Sequence, residues 1–383
     1  MRAHGYRADM RTSILGLGTA VPDGHLSQPV VRDFFASQPG TDRLARRLIG
    51  SVFDHSAIDS RYSVIGEIGA QHTLFTDDDG NLLSPTTGDR NALYRRDAPA
   101  LSATAARTAL ARSHVPAADI THVVTASCTG FFAPGPDFQL VQDLGLEPTV
   151  ERYHIGFMGC AAAFPALRAA TRIADAQPGS VVLVVCTELC SLHIRSSSDP
   201  EQIVASAVFG DGAGAAVVSS RAPLHEGALF EIGDFSTAIT TEGEADMDWT
   251  IGDRGFEMRL TAEVPRIIGR EIRGVVEAMF PGVEDAAAEV DAWAVHPGGR
   301  SVLDRVQDGL SLVDAAMEDS RAVLRDYGNM SSATILFILE RILADDALAD
   351  GADVVGLCFG PGLTVETAQF TRRTSPVADE AAR

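Results

Sequence analysis

Three residues in unusual settings could carry acyl chemistry: Cys160 in Gly-Phe-Met-Gly-Cys-Ala-Ala-Ala, His296 in Ala-Val-His-Pro-Gly-Gly, and Asn329 in Tyr-Gly-Asn-Met-Ser-Ser-Ala. They supply a thiolate nucleophile, an imidazole partner and a neutral amide donor. Such a set can take an acyl group from a thioester and hold the negative charge that develops when that group is extended. Each residue alone has a plainer explanation. Cys160 beside alanines reads equally as a buried structural thiol, and that is the default for Cys128, Cys186, Cys190 and Cys358. A lone histidine is more often a surface or satisfied core residue. Asn329, between Gly328 and Ser331-Ser332, suits a turn or cap.

The neighbours sharpen the reading. Cys160 opens a helix expected over 160–176, where the helix dipole and free backbone N–H groups favour the thiolate. His296 follows a buried strand expected over 290–295 and precedes glycines that let a ligand approach the backbone. A histidine 136 residues after the cysteine and an asparagine 33 further on also match the order of a papain-like protease. That reading fails on context: there is no Cys-Gly-Ser-Cys-Trp stretch, Cys160 is far from the N-terminus, and residues 1–7 open no secretory signal.

The elements that must position these residues alternate between helix and strand. Helices are expected over 100–112, 137–144, 265–280, 301–309, 317–325 and 333–344. Strands are expected over 120–127, 180–187, 212–219 and 353–358, with a further strand over 363–370. The first ~95 residues read as helices and loops covering a core rather than forming it, and the tail from Arg372 reads as disordered. Each half ends in a Phe-Gly-x-Gly turn, at Phe209 and at Phe359, which hints at internal duplication. The class is α/β with mostly buried sheets.

Composition excludes several functions. A net charge of −21 argues against general nucleic-acid binding, though a local basic cluster would still serve a small anionic substrate. All 31 basic residues are arginines, so Schiff-base chemistry is out. No stretch approaches the ~20 apolar residues that cross a bilayer. Five cysteines, an odd number, read as reduced thiols of a cytoplasmic protein.

With these motifs in place, the chain resembles the type III polyketide synthases, the chalcone-synthase-like branch of the thiolase superfamily. The likeness runs from Ile14 to Phe370 and rests on Gly159-Cys160, Phe209-Gly210-Asp211-Gly212, Ala294 to Gly299, Tyr327 to Ser332 and Phe359 to Glu366. It implies a thiolase fold: a five-layered αβαβα core of two pseudo-repeated halves, 1–225 with Cys160 and 226–383 with His296 and Asn329, working as a homodimer. It further implies that Cys160 is loaded from a CoA thioester. His296 and Asn329 would then bind the enolate formed as malonyl-CoA loses carbon dioxide. No metal or organic cofactor is implied, because the substrate supplies the electron sink.

The resemblance also assigns a surround. Phe209 matches one of two phenylalanines that usually stand between the CoA tunnel and the cavity; Met258 stands at the second. Gly298, Gly299 and Ser301 after the histidine, and Gly360 and Pro361 in the Gly-Pro-Gly turn, carry over as substrate contacts. Thr129, Ala133 and Cys190 lie 31 and 27 residues before and 30 after Cys160. There bacterial long-chain alkylpyrone synthases look similar, with small side chains opening an acyl tunnel. Cys128 and Cys190 could instead line a polar cavity, and His193 is a further substrate-binding candidate. The family's basic CoA-binding positions read Leu48, Ser51, His55 and Ala262, so Arg46, Arg47, Arg61 or Arg259 would have to compensate, with His55 a weaker contact. For the same reason an acyl carrier protein is an alternative starter donor. The expected activity is extension of a medium- or long-chain acyl starter to an alkylpyrone or alkylresorcinol. The alternatives are a synthase using malonyl-CoA alone or an aromatic starter, and a thiolase-fold protein that binds acyl thioesters without extending them.

Overall fold

The strand Val181–Leu189 reads Val-Val-Leu-Val-Val-Cys-Thr-Glu-Leu and is buried along its whole length, as a strand covered on both faces must be. It belongs to a computed structural model that describes residues 11–66 and 73–375. In the first part of the chain lie β1 (Ser13–Ala20), β2 (Gly24–Ser27), α1 (Gln28–Ser37), α2 (Arg43–Asp54), β3 (Ser60–Ser63), α3 (Thr87–Ser113), β4 (His122–Ser127), α4 (Pro136–Asp143), β5 (Glu151–Gly156), α5 (Ala163–Ala176), β6 (Val181–Leu189), α6 (Pro200–Val208) and β7 (Asp211–Ser219). The second part contains β8 (Gly227–Ile239), β9 (Met247–Gly252), β10 (Gly255–Leu260), α7 (Glu263–Met279), β11 (Ala292–Val295), α8 (Arg300–Leu310), α9 (Glu318–Tyr327), α10 (Thr334–Leu343), β12 (Asp353–Gly360) and β13 (Thr364–Ser375).

Among the described residues the main sheet runs β11-β12-β13-β8-β1-β7-β6-β4-β5. It is one motif used twice. In the first part β5, β4 and β6 are parallel, β7 is antiparallel to β6, and β1 is antiparallel to β7. In the second, β11 and β12 are parallel, β13 is antiparallel to β12, and β8 is antiparallel to β13. The two sets join where β1 meets β8 at Ser13↔Glu231 and Ile14↔Phe230. The duplication hinted at by the two Phe-Gly-x-Gly turns is real: each turn opens onto an antiparallel strand, β7 or β13.

Layering follows from which faces are apolar. α10 reads Thr-Ile-Leu-Phe-Ile-Leu-Glu-Arg-Ile-Leu and is buried on nearly every side, which suits a helix sandwiched inside a core. It shares one apolar cluster with α5 and with strands of both parts. α3 and α4 cover the outer face of the first set, and α7 and α8 that of the second. The result is the expected αβαβα arrangement.

Several expectations need correcting. The first ~95 residues do not merely cover the core: β1 lies in the middle of the sheet, with six of its eight residues buried. Its strand signal is diluted by Gly16, where a Cβ would come within 2.5 Å of the Ala109 carbonyl of α3. Close helix–strand contact requires glycine there, and glycine reads as loop. The helix expected from residue 100 begins at Thr87, opened by a Thr86–Asp89 capping box. β5, β8 and the β9–β10 hairpin lie outside the expected strands, although the hairpin does alternate, with Met247, Trp249 and Ile251 in β9 and Phe256, Met258 and Leu260 in β10. β13 continues to Ser375, so Arg372 to Ser375 are ladder residues and no tail begins there. The rest of that tail and residues 1–7 lie outside the described residues.

Candidate active site

The chain leaves β5 through Phe157, Met158 and Gly159 into a 3-10 turn over Gly159–Ala161, and only then into α5. Cys160 therefore sits in the tight turn before the α-helix rather than in its first regular turn. Gly159 has φ +59°, and a Cβ on it would lie 2.6 Å from Cδ of Pro361. Any other residue at this position would combine an unfavourable backbone with a clash. A Cβ on Gly360 would likewise meet the Ala161 side chain at 2.9 Å. The β12–β13 turn of the second part thus presses directly on the turn carrying the thiol.

Asn329 reaches the same point. Its side-chain amide lies 3.9 Å from Cys160 Sγ, and its Oδ1 accepts the Ser331 N–H at 2.8 Å, which leaves Nδ2 as the group free to donate. Its backbone bridges α6 and β7: Asn329 N donates to Val208 O at 2.8 Å and Gly210 N donates to Asn329 O at 2.9 Å. Phe209, half-buried, lies between those two contacts. His296 ends β11 beside β12, its backbone N–H donating to Leu357 O at 2.8 Å. Its side chain is fully buried, and among the described residues neither Nδ1 nor Nε2 has a hydrogen-bond partner.

Burial sets the proton positions. It pushes the Cys160 thiol up to about 11, against opposing hydrogen bonds from Ser331 and Asn329, and pushes His296 down to about 3. Desolvation is the largest influence on the thiol, and α5 itself begins three residues later, at Ala163.

A second buried cluster lies alongside. Glu188, near the end of β6, is fully buried and accepts from Ser332 Oγ at 2.5 Å, Thr129 Oγ1 at 2.8 Å, Cys128 N at 3.0 Å and Cys128 Sγ at 3.4 Å. Cys128 Sγ also lies 3.3 Å from Ser331 Oγ. Burial raises the Glu188 carboxyl while these donors lower it. Sequence reasoning passed over Glu188, although one carboxylate in a nine-residue apolar strand is itself the signal of a satisfied polar network.

The remaining expected residues separate into groups. His193 donates through Nε2 to Thr129 O at 2.7 Å, accepts Phe256 N–H on Nδ1 at 3.0 Å, and stacks on Phe256 with centroids 4.2 Å apart. Both nitrogens are used, and burial holds the ring down at about 3, so it braces the β9–β10 hairpin as a neutral clamp. Met258 is half-buried on that hairpin opposite Trp249, whose Nε1 donates to Cys128 O at 2.6 Å. Cys190 is buried at the start of the turn that holds His193. The Thr129 hydroxyl donates to Glu188 and accepts the Leu189 N–H.

Ala133 is exposed on this chain and Ser301 is exposed on α8, while Gly299 is buried and Gly298 half-buried behind His296. Ala133 therefore lines no enclosed bore within one protomer. Arg61 is not a surface CoA ligand. It is 4% exposed, donates to the Ser206 and Phe209 carbonyls at 2.7 and 2.8 Å and to Gln28 at 2.7 Å, and burial lowers it to about 9. Its role is to hold Phe209. Arg46, Arg47, His55 and Arg259 are exposed; Arg259 lies 3.8 Å from Glu201.

Known proteins share this architecture. Residues 2–222 match the family model of chalcone and stilbene synthases, N-terminal domain, and residues 234–372 match that of the C-terminal domain. The chain belongs to the chalcone and stilbene synthase family, the type III polyketide synthases. The family's members are condensing acyltransferases acting on CoA thioesters, and the thiolase fold is theirs. A type III polyketide synthase domain of Steely1, a type I/III hybrid from Dictyostelium, superposes with a TM-score of 0.83 at 28% identity, covering 94% of this chain and 99% of that domain. PKS-I of the brown alga Ectocarpus siliculosus superposes at 0.84 with 29% identity, covering 97% and 100%. A probable polyketide synthase 1 of Dictyostelium discoideum is 29% identical over 366 residues, or 94% of this chain. This type III polyketide synthase chain spans only 11% of that relative's length. Among the described residues no helix is long and apolar enough to cross a membrane.

Proposed function

We propose that this synthase loads an acyl starter on Cys160 and extends it with malonyl-CoA by decarboxylative condensation. The single observation that carries the mechanism is His296, whose two ring nitrogens are fully buried and unpartnered. An orphaned buried polar group costs roughly 1–3 kcal/mol, and a fold keeps one where a substrate atom completes it. In loading, Sγ attacks the thioester carbonyl, the CoA C–S bond breaks, and the Sγ proton passes by way of His296 to the departing thiol. In extension, malonyl-CoA loses carbon dioxide, and the resulting enolate oxygen accepts hydrogen bonds from the N–H of neutral His296 and from Asn329 Nδ2. The enolate carbon then attacks the Cys160 thioester, forming the new C–C bond and releasing Sγ as thiolate. The substrate supplies the electron sink, so this sequence calls for no cofactor.

For the starter, a medium or long acyl chain is the preferred reading. An apolar wall is offered by Phe256, which stacks on His193 and meets Trp249 edge-on, and each buried methylene contributes ~0.8 kcal/mol. A malonyl-only synthase is the second reading, favoured by the polar cluster of Cys128, Ser331 and Glu188 beside the nucleophile. Incubation with malonyl-CoA and acyl-CoAs from acetyl to C18, including aromatic starters, separates the two by product mass. Turnover of malonyl-CoA alone, with no C8–C18 product, overturns the first reading. A covalent adduct on Cys160 without carbon dioxide release would indicate a non-extending thioester binder.

We also propose a homodimer formed along β5. Among the described residues this edge strand pairs only with β4, and it is almost wholly exposed, beside Phe131, which is 47% exposed, and Phe157, 37% exposed. An open, partly apolar sheet edge is a template for a second strand. The site chemistry accords with a cytoplasmic enzyme whose thiols stay reduced.

A further inference from the structure

The β9–β10 hairpin is held in place by two cations that the chemistry above does not use. Arg90, in the first turn of α3, is 0% exposed. It donates through Nη1 to Leu192 O at 2.5 Å and Ile194 O at 3.1 Å, and through Nε to Pro85 O at 3.1 Å. Arg195 donates through Nη2 to Phe256 O at 2.9 Å and lies 3.2 Å from the Glu257 carboxylate. Among the described residues Arg90 pairs with no carboxylate, and its Nη2 and Arg195 Nε are buried without a hydrogen-bond partner.

Burying a charge is costly unless it is paired. Here backbone carbonyls do the pairing, so what these cations fix is the path of the chain. The hairpin turn is shaped around Arg90: a Cβ on Gly255, at φ +114°, would lie 3.0 Å from Arg90 Nε. α3 grips the same turn through Thr87 Oγ1, which accepts the Gly255 N–H at 2.8 Å and donates to Gly252 O. Phe256 is then held at three points. Its N–H donates to His193 Nδ1 at 3.0 Å, its carbonyl accepts from Arg195, and its ring stacks on His193. His193 Nδ1 can accept only while the ring is neutral, and the charges of Arg90 and Arg195 add to burial in keeping it so.

The hairpin reaches the nucleophile through aromatic rings. Phe256 lies 5.5 Å, centroid to centroid, from Phe157, which stands three residues before Cys160. An apolar chain running from the Cys160 sulfur along this wall depends on where Phe256 stands, whereas carbon dioxide release from malonyl-CoA calls on His296 and Asn329. We propose that Arg90 and Arg195 are positioning residues that set, through Phe256, how a long acyl starter is held for transfer to Cys160. This rests on the long-chain reading above and names residues behind its selectivity. Each arginine acts through the hairpin backbone rather than on the substrate.

The test centres on Arg195→Met, a partly exposed position where the fold should survive, with Arg195→Lys and Arg90→Lys as companions. For Arg195→Met, kcat/KM with dodecanoyl-CoA is expected to fall about tenfold, mainly through KM, while kcat/KM with acetyl-CoA and carbon dioxide release from malonyl-CoA stay within about twofold. Arg195→Lys keeps the charge and a donor for the Phe256 carbonyl, so it should recover much of the loss. Arg90→Lys cannot span three carbonyls and should lose more on dodecanoyl-CoA than Arg195→Lys does. Equal losses on both starters, or no loss on dodecanoyl-CoA, would overturn the assignment while leaving the synthase reading intact. A wild-type enzyme that releases carbon dioxide but is never loaded by dodecanoyl-CoA overturns it together with the long-chain reading. One that neither loads nor decarboxylates takes down the synthase reading as well.

Discussion

Two buried polar groups, Glu188 and His296, are built on opposite terms. Glu188, contributed by the first part of the chain, is surrounded by donors from Ser332, Thr129 and Cys128. His296, contributed by the second part, has no partner at either nitrogen. Both are fully buried, and burial pushes both toward their neutral forms. Satisfaction distinguishes them. The glutamate ends an internal network, so its worth is structural order near the site, whereas the histidine's capacity is left for something the chain does not itself provide. Burial alone would not have separated the two.

The comparison can be broken most sharply at the bare side. His296→Gln should lower condensation by about 10²–10³-fold, the scale of removing a transition-state stabiliser, with little change in thermal stability. Carbon dioxide release from malonyl-CoA and the melting temperature, measured together, check this. A large loss of stability would mean that His296 is a structural member after all.

Glu188→Leu tests the saturated side in the opposite sense. It leaves the Ser332, Thr129 and Cys128 donors without an acceptor, and the expected loss is about 3–5 kcal/mol of folding stability, read by urea denaturation. Glu188→Gln should retain most of the network. A stable, inactive Glu188→Leu variant would make the glutamate a chemical participant and erase the contrast.

A further test concerns pH. His193 and His296 titrate near 3 in the folded protein, below the unfolded histidine value of about 6.5. The unfolded chain therefore binds more protons between those values, so stability is complete above pH ~6.5 and falls as pH drops toward ~3. Cys160, raised to about 11, acts at the other end: the folded state holds its proton longer, and stability falls as pH rises from ~9 toward ~11. Chemical denaturation across pH should show a plateau between these limits. His193→Gln should flatten the acid limb without altering the alkaline one, and an unchanged acid limb would show that His193 does not titrate as its burial requires.

What the sequence alone made legible was chemistry held in short contiguous motifs. Gly159-Cys160, His296-Pro297-Gly298-Gly299 and Gly328-Asn329 each carry their own backbone requirements, so residue types and turns appear together. The apolar runs of β6 and α10 were equally plain, because burial on all sides demands continuous hydrophobicity. Only the tertiary structure decided the rest. β1 was unreadable because the glycine that lets α3 approach it also removes its strand signal. Arg61 and Arg46 look alike in sequence, yet one is buried against Phe209 and the other faces solvent. Whether Thr129 faces a tunnel or Glu188, and whether Ala133 is enclosed or exposed, depends on neighbours far along the chain, which spacing from Cys160 does not encode. The sequence determined which atoms could react; the packing of two repeated sheets decided which buried groups were left free to do so.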